Sequence, residues 1–597
     1  MKKIISAFIS VLLISASLLC LASCFEEKEA QSSASVTESA SADDGSAAVG
    51  TETEVTETEA DTAAESAVDT SPESHTETET DAETQTDTEL SESESTSGDT
   101  VPDPPEELYV CYSDFGAAGD GVTDDFNAIL AAHEYANEHG LPVVARSGAR
   151  YLFAADSVGR KIDIRTDTDW TGAVFIIDDG CVPVDENKYY YSPVFRVAPS
   201  AEGYSIKKVQ SLKKGAEKLG YAPGVPCLAM ISFGSSKVYI RTGVHAGNGE
   251  ARREVFLVDG DGNIDGSTPI NWDFNAVSSL ILFPIDEKGL TVRGGEFITL
   301  SNDMPHKFTY FHRGIDVERS NTVVENVVHR VEGEDDEGGA PYNGFIYVYR
   351  CTGVTVRDCV FTPHYMFDEI KTEESTTFGY DVHAREANDV RFEGCTQTIS
   401  IDDTNYWGVF TSNYSRNITL ENCVLSRFDA HRGVYNVTIK DCTFGHQGIR
   451  FVGFGVCSVE NTTVRSGQFI NLRADYGSSF EGKIIIKNCR FDPQAQLWSK
   501  SELIYARNEC DHYYGYKCYF PEIEINGLTV NDWNATSGYG GLYVLPVYTE
   551  KTDFADVYDN YKYHTPKEVT IKNLTLMSGN KYRICRRPEL YPGLKVK

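Results

Sequence analysis

Between Leu290 and Leu576 the chain repeats one short cassette ten times, and this repeat limits what the chain can fold into. Each copy begins with alternating β-branched residues, which are typical of a strand. It then turns at Asn, Asp or Gly, which tolerate left-handed backbone or bind their own backbone, and restarts with a small apolar residue. The clearest copies are VTVRDCVF (354–361), ITLENCVL (418–425), VTIKDCTF (437–444) and IIIKNCRF (484–491).

The spacing of the turn residues indicates a solenoid. Asn422 and Asp441 are 19 residues apart, Asp441 and Asn461 are 20 apart, and the other gaps run from 27 to 46. Repeats of this length bury their faces only against their neighbours. Because no long amphipathic helical pattern or regular leucine frame lies between the copies, the sequence predicts an all-β fold. We expect a right-handed parallel β-helix with regular coils over residues 290–576 and loops at its corners.

Five cysteines occupy the same cassette position, namely Cys359, Cys395, Cys423, Cys442 and Cys489. Equivalent positions in neighbouring coils stack about 4.8 Å apart. We therefore predict an interior ladder of small apolar side chains. No CxxC pair occurs, so the cysteines do not predict a metal site. Cys510 and Cys518 lie on one predicted loop, and a disulfide between them stays open.

The first 23 residues have the pattern of a signal peptide. Lys2 and Lys3 precede a short apolar run from Ile4 to Leu19, and Leu21–Cys24 resembles the lipobox of bacterial lipoproteins. That resemblance implies cleavage before Cys24 and lipidation of its thiol by palmitate-type acyl chains. The protein would then be anchored on the extracytoplasmic face of a bacterial membrane. An ordinary secretory peptide, with Cys24 incidental, is the alternative.

Residues 24–105 predict a disordered, acidic stalk. The stretch 25–103 holds 24 acidic residues against the single base Lys28, with almost nothing apolar to bury. The formal charge of −37 is therefore mostly a property of the stalk and says little about the substrate. We expect a monomer with no nucleic-acid partner, whose folded domain spans 106–597.

The folded domain opens with a segment that predicts a helix ending at Gly140. Asp124 and Asp125 are candidate N-caps, and the apolar face consists of Phe126, Ile129, Leu130, Ala132 and Tyr135. The preceding letters, Asp114-Phe115-Gly116 and Gly119 to Asp125, resemble the entry segment of the pectate-lyase-like superfamily. This group includes polygalacturonases, rhamnogalacturonases, polysaccharide lyases and phage tailspikes. The resemblance implies a right-handed parallel β-helix with an N-terminal capping helix and a carbohydrate-active function.

The cassette is lost between residues 151 and 290, which predicts either an irregular β insertion or early coils. Within it, Asp259, Asp261, Asn263 and Asp265 match the early ligands of a calcium loop. Ile264 stands where such a loop needs glycine, and no glutamate closes it, so a hairpin turn is predicted instead. We predict no cofactor, with Ca²⁺ considered only for the lyase alternative below.

Three consecutive coils concentrate polar side chains and define the predicted site. Alternation along a strand points Ala430 inward and Asp429 and His431 outward, and the nearly equal coil lengths predict that His431 stacks on Arg450. If Asp403 lies one coil from Asp429 and two residues out of register, the carboxylates are about 8 Å apart, in the range of inverting hydrolases. The predicted catalytic residues are Asp402, Asp403, Asp429 and His431; the predicted substrate-binding residues are Arg432, His446, Arg450, Tyr406 and Trp407.

The order of these elements resembles the polygalacturonase pattern of a paired Asp followed by a Gly-His-Gly turn. Asp402-Asp403 and Gly445-His446-Gln447-Gly448 match it, except that one extra residue follows the histidine. The resemblance implies a glycoside hydrolase acting on a polysaccharide, with uronate-containing polymers among the candidate substrates. A polysaccharide lyase using His431 or an arginine as base, and a non-catalytic glycan-binding β-helix, are the alternatives. The same residues would serve as turns, ion pairs and packing if the site is structural.

Overall fold

The computed structural model describes residues 108–183, 190–239, 250–302, 311–334, 343–365, 379–507, 518–547 and 564–597. The predicted signal peptide, Cys24 and the stalk up to residue 105 lie outside these ranges, as does Cys510. Cys518 is buried, and the disulfide considered between it and Cys510 stays untested.

The cassette strands form one long parallel sheet, here called the first sheet. Each strand pairs in parallel with the equivalent strand of the next coil, for example Val354 with Val390 and Val390 with Ile418. Before the strands lengthen, its members are Val110–Cys111, Val143–Val144, Thr168–Asp169, Leu290–Arg293, Thr322–Glu325, Thr352–Arg357, Asn388–Glu393 and Ser415–Glu421.

Two further parallel sheets complete each coil. The second sheet contains Asp120–Asp124, Arg150–Phe153, Val174–Asp178, Glu296–Leu300, Val328–Glu332, Val360–Phe361 and Thr396–Gln397. The third sheet contains Ile162–Ile164, Phe195–Val197, Ile315–Val317, Asn343–Tyr349, Tyr380–Arg385 and Phe410–Asn413. The chain visits the three sheets in turn, which is a parallel β-helix, as the repeat predicted.

In the later coils single strands bend through more than one sheet. Val424–Lys440 and Thr443–Glu460 pair with each other in successive stretches, separated by register shifts after Leu425, Ala430 and Tyr435. These stretches extend the second, third and first sheets in that order. The stack continues through Thr463–Val464, Ile470–Asn471, Phe480–Phe491, Ile504–Tyr505, Glu522–Val530, Glu568–Leu576 and Lys595–Val596. A separate short pair is Tyr543–Leu545 with Arg583–Cys585.

The predicted cassette turns have left-handed backbone. The turn residues with positive φ are Asn326, Asp358, Asn422, Asp441, Asn461, Asn488 and Asn573, with φ between 49° and 57°. Their amides continue the ladder to the next coil, as Asn422 N–H donates to Lys440 O at 3.1 Å. Asparagine and aspartate are the non-glycine residues that adopt this conformation most readily, which explains their recurrence.

The cysteine ladder is also confirmed. All five cassette cysteines are buried and free. Their thiols contact carbonyls of the preceding coil, as Cys423 Sγ lies 3.4 Å from Phe392 O and Cys442 Sγ lies 3.5 Å from Leu420 O. Burial raises the pKa of Cys489, so this thiol stays protonated.

One α-helix, Phe126–His139, packs against the first strands of the first and third sheets. Phe126, Ile129 and Ala132 are buried as predicted, whereas Tyr135 is 42% exposed and stacks on His139. Short 3-10 turns occur at Tyr112–Phe115, Ala155–Ser157, Asp179–Cys181, Ala474–Tyr476 and Pro588–Leu590.

The two predicted N-cap residues of this helix make different contacts. Asp124 Oδ1 accepts from Phe126 N–H at 3.2 Å, so it contacts the first turn. Asp125 Oδ1 instead accepts from Ala118 N–H at 2.6 Å and fastens the preceding loop.

The segment 151–290 contains two kinds of β structure. Its first part supplies early coils. Among the described residues of 204–284, four strands form an antiparallel sheet, namely Tyr204–Ser205, Cys227–Val238, Glu250–Val258 and Ser279–Pro284. Asp259 forms the predicted hairpin turn, accepting from the amides of Asp261 and Asn263 at 3.0 and 2.8 Å. We call residues 204–284 the inserted sheet.

Buried ion pairs join the inserted sheet to the β-helix. Glu254 pairs with Arg416 and accepts from Trp272 N–H at 2.7 Å. On the β-helix itself a second buried carboxylate, Glu386, pairs with Arg253 of the inserted sheet.

Glu386 is surrounded by three arginines. Besides Arg253, its carboxylate pairs with Arg350 Nε at 2.8 Å, and Arg385 Nε lies 3.5 Å away. Although burial opposes its ionisation, these arginines lower the pKa of Glu386 to about 2. The carboxylate is therefore charged at neutral pH and holds the two parts of the fold together.

Across the described ranges, no helix is both long and apolar enough to cross a membrane.

Candidate functional site

Polar side chains cover the outer side of the third sheet where Val424–Lys440 crosses it. Phe428 and Ala430 belong to the hydrophobic core, so the alternating residues Arg427, Asp429 and His431 lie on the opposite side, as predicted. They are not exposed, however: the exposed fractions are 0% for Arg427, 0% for Asp429 and 5% for His431. The outward placement of Asp429 therefore does not expose it to solvent, because neighbouring side chains cover it.

Asp429 is the centre of a hydrogen-bonded cluster. Its carboxylate accepts from Arg427 Nη2 at 2.8 Å, from Arg473 Nη1 at 3.0 Å and from the Tyr380 hydroxyl at 3.1 Å. His431 Nδ1 lies 3.0 Å from the same carboxylate. One buried carboxylate therefore gathers side chains from three coils.

The cluster fixes the charge of Asp429. Burial opposes ionisation, but Arg427, Arg473 and His431 hold the pKa of the Asp429 carboxyl well below its usual range. A carboxyl that stays ionised cannot supply a proton as a general acid. In this geometry Asp429 accepts hydrogen bonds and orients its neighbours.

His431 is held as a neutral imidazole. Burial lowers its pKa, and Arg473 and Arg432 act in the same direction, against the effect of Asp429. Because Nδ1 faces a carboxylate, Nδ1 carries the proton and Nε2 keeps its lone pair. Within the described residues Nε2 has no hydrogen-bond partner, and the ring packs beside Tyr476 with centroids 5.2 Å apart. This is the arrangement of a general base oriented by a carboxylate.

Trp407 covers the cluster rather than offering an open platform. Its side chain is 5% exposed, and the Arg427 guanidinium carbon lies 4.0 Å from the ring centroid. The Tyr380 ring centroid lies 5.6 Å from the same carbon. Trp407 thus packs on a cation, a contact that aromatic rings favour, and its substrate-binding role stays a prediction.

Arg450 and His446 lie on the neighbouring coil. Arg450 pairs in register with Asp429, not with His431 as predicted, because a bulge between Leu425 and Arg427 shifts the two strands. Arg450 is partly exposed, and its Nε donates to a backbone carbonyl, that of residue 447, at 2.8 Å. His446 Nδ1 lies 3.1 Å from the carbonyl oxygen of residue 401, and burial lowers the pKa of its imidazole.

The predicted pair Asp402 and Asp403 is engaged in local contacts. Asp402 Oδ2 accepts from Arg465 Nη1 at 2.6 Å, and Asp403 Oδ1 accepts from Asn405 N–H at 3.0 Å in a turn. Neither carboxylate has a hydrogen bond to the Asp429 cluster among those of the described residues, so the catalytic role predicted for them stays a prediction. Nearby, Tyr406 packs edge-on against Tyr365 with centroids 5.6 Å apart.

Arg432 connects the site to the inserted sheet. Its Nη2 lies 3.2 Å from Glu250 Oε1, and its backbone amide donates to Asn413 Oδ1 at 3.3 Å. Tyr239, at the end of the strand Cys227–Val238, packs in one apolar cluster with Tyr476. The inserted sheet therefore forms one wall beside His431.

Two coils before Asp429, Asp381, His383 and Arg385 occupy the same face. Asp381 Oδ1 lies 2.6 Å from His329 Nδ1, and burial opposes its charge. His329 and His364 nevertheless lower the pKa of Asp381 to about 2. The polar face thus extends over several coils.

Four residues of the site were not predicted from the sequence, namely Arg427, Arg473, Tyr380 and Tyr476. The signal for Arg427 was available, since it lies two residues before Asp429 on the same alternating strand. Arg473 could have been found by alternation, because residues 470 and 472 are buried in the core and residue 473 therefore lies on the outer side. Tyr380 could not have been found in this way, because the coils between Tyr380 and Asp429 differ in length.

Within the described residues, no group of three or more His, Cys, Asp or Glu side chains is arranged to hold a metal ion.

The three parallel sheets place this chain among the parallel β-helix proteins. No family model matches it, and no curated protein matches its sequence. Among solved structures it is similar to the tailspike protein gp49 from Pseudomonas phage LKA1, with 14% identity, 78% of this chain and 81% of that chain covered, and a TM-score of 0.45.

The chain is also similar to two other solved structures. The gp54 tailspike of Acinetobacter baumannii bacteriophage AP22, in complex with capsular saccharide, is 9% identical, with 82% of this chain and 79% of that chain covered and a TM-score of 0.46. The A-module of the Azotobacter vinelandii mannuronan C-5 epimerase AlgE4 is 11% identical, with 82% and 99% covered and a TM-score of 0.34.

Proposed function

We propose that the protein is a polysaccharide lyase that cleaves a uronate-containing polysaccharide by β-elimination. The observation that carries this proposal is His431, a neutral imidazole oriented by the ionised Asp429 and surrounded by arginines. A base beside cations suits removal of a proton next to a carboxylate. A hydrolase is less well supported, since the carboxyl at the centre of the site is held ionised.

In the proposed reaction, His431 Nε2 takes the proton from C5 of the uronate ring. The electron pair moves into a new C4–C5 double bond while the C4–O bond to the next sugar breaks. The leaving oxygen takes up a proton from solvent, and His431 returns its own to solvent. The partly exposed Arg450 is the cation that we propose to stabilise the carboxylate while charge develops on it.

The experiment is a screen of the protein against acidic polysaccharides, following ultraviolet absorbance and new reducing ends together. Elimination gives an unsaturated sugar that absorbs, so we expect both signals to rise in parallel. New reducing ends without absorbance would indicate hydrolysis and contradict the proposal. Binding without either signal would favour the non-catalytic glycan-binding alternative.

We further propose that the chain is a monomeric lipoprotein whose acidic stalk holds the β-helix away from a bacterial membrane. The lipobox-like Leu21–Cys24 and the 24 acidic residues that follow support this. We also take the β-helix to be right-handed, as parallel crossovers nearly always are, with the helix Phe126–His139 closing its N-terminal end.

The anchor predicts the behaviour of a Cys24→Ala variant. Without the thiol no acyl chain can be attached, so we expect the variant to leave the detergent phase on phase partitioning and to lose label from a fatty-acid precursor. Cys111→Ala, at a partly exposed cysteine of the folded domain, is the control and should partition like the parent. A labelled, detergent-soluble Cys24→Ala protein would show that the lipobox assignment is wrong.

A further inference from the structure

A pocket of about 520 Å³ lies at the corner between the third and first sheets in the late coils. Its size is within the range of small-ligand sites. Its lining includes Gly455, Val456, Lys483, Tyr519 and His564, and none of the catalytic residues named above. The pocket is therefore distinct from the site around His431.

The pocket opens where a ladder of side chains ends. In the preceding coils the same corner is filled by asparagines, with Asn417 Nδ2 donating to Asn388 Oδ1 at 2.9 Å and Asn436 Nδ2 donating to Asn417 Oδ1 at 3.0 Å. The next two coils have Gly455 and Gly482, paired in register. A Cβ on Gly482 would meet Gly455 O at 1.8 Å, and both glycines have positive φ, so no side chain can replace them.

An aromatic pair forms a wall above this glycine floor. The rings of Tyr519 and His564 stack with centroids 4.7 Å apart and an angle of 21° between their planes. Tyr519 is partly exposed and His564 is exposed. Val456 is 40% exposed beside them. A flat backbone floor next to stacked rings suits a flat ligand with an apolar face and polar edges.

Charged groups stand at the rim. Lys483 Nζ binds Glu524 at 2.6 Å in a half-exposed pair, which contributes little stability and can exchange partners. Lys567 and Glu522 also line the pocket. Donors and an acceptor are therefore available to the hydroxyl and carboxylate groups of a sugar ring.

We infer that this pocket is a second glycan-binding site, separate from the His431 site, which takes a short saccharide stretch on the glycine floor against Tyr519 and His564. The inference rests on the proposed function only in taking the ligand to be a saccharide. It does not require that the protein cleave its ligand.

The test measures binding of two probes, an oligogalacturonate and a neutral β-glucan oligosaccharide, by calorimetry. The full-length protein carries His431→Gln, so that turnover does not consume the probe. We expect at least one probe to bind, and Tyr519→Ala and Val456→Trp to weaken that binding at least about tenfold. Val424→Trp changes a valine that is equally exposed, at 40%, and should bind like the parent.

Two results would overturn the inference: neither probe binds the parent, or both pocket variants bind as the parent does while melting normally. The test is independent of the proposed reaction. A protein that forms no unsaturated product but loses saccharide binding in the pocket variants would refute the lyase and support the pocket.

Discussion

Replacing His431 with glutamine is expected to lower the rate of unsaturated-product formation by about 10²–10⁴-fold, the usual loss on removing a general base. Glutamine can still donate a hydrogen bond to Asp429 but has no nitrogen that takes up a proton near neutral pH. Because His431 is neutral in the folded protein, the substitution removes no charge, and the melting temperature should change little. The measurement is the initial rate of absorbance increase beside a melting curve.

His139→Gln is the matched control, since His139 is exposed on the helix Phe126–His139. It should keep full activity. Full activity in His431→Gln would show that another residue acts as the base. A loss of activity that follows a loss of melting temperature would indicate that His431 acts by packing alone.

The pH profile gives an independent readout of the same residue. The lowered pKa of His431 keeps the imidazole unprotonated down to a pH below the ordinary histidine value of about 6.5. We therefore expect the acidic limb of the rate profile to lie below that value. A structural role for His431 would leave no such limb.

Glu386→Gln is expected to destabilise the fold by about 3–5 kcal/mol, the usual cost of removing one partner from a buried ionic cluster. The carboxylate is fully buried among Arg253, Arg350 and Arg385, and glutamine would leave these three cations facing a neutral amide. The measurement is the midpoint of denaturant unfolding.

The matched control for this variant is Glu421→Gln. It removes a half-exposed pair with Lys440 and should cost about 1 kcal/mol or less. If the two variants unfold at the same midpoint, the buried cluster contributes no more than a surface pair.

The same cluster makes stability depend on pH. The pKa of Glu386 is lowered to about 2 in the folded protein, against about 4.3 in the unfolded chain. Its contribution is therefore present above about pH 4.3 and is lost as the pH falls towards 2. The parent should lose stability across this window more steeply than Glu386→Gln. Equal slopes would contradict the charge assignment.

Much of the fold could be predicted because the residues of the cassette determine the local backbone geometry. Asn422 and Asp441 mark left-handed turns, and Cys423 and Cys442 mark the interior of the coil. The inserted sheet was not resolved from the sequence, since antiparallel strands such as Cys227–Val238 and early coil strands have the same apolar alternation. Alternation identifies a strand but not its partner.

The candidate site was predicted only in part, for two physical reasons. Alternation correctly placed Asp429 and His431 on the outer side of the strand, but burial there depends on Trp407 and Arg473, which come from other coils. The pairing of Arg450 with Asp429 follows from a bulge, and a shift of one or two residues is invisible in coils of nearly equal length. Long-range contacts of this kind leave no local signature.

The ion pairs of the inserted sheet impose an order on assembly. Arg253 and Glu254 can form their ion pairs only after Glu386 and Arg416 have been synthesised. These partners lie 133 and 162 residues further along the chain. During synthesis the inserted sheet therefore emerges well before the surface that receives it has been made. Contacts of such long sequence separation form slowly, so docking of the inserted sheet is expected among the last steps, and a chain stopped before Arg416 would present unsatisfied charges to cellular quality control.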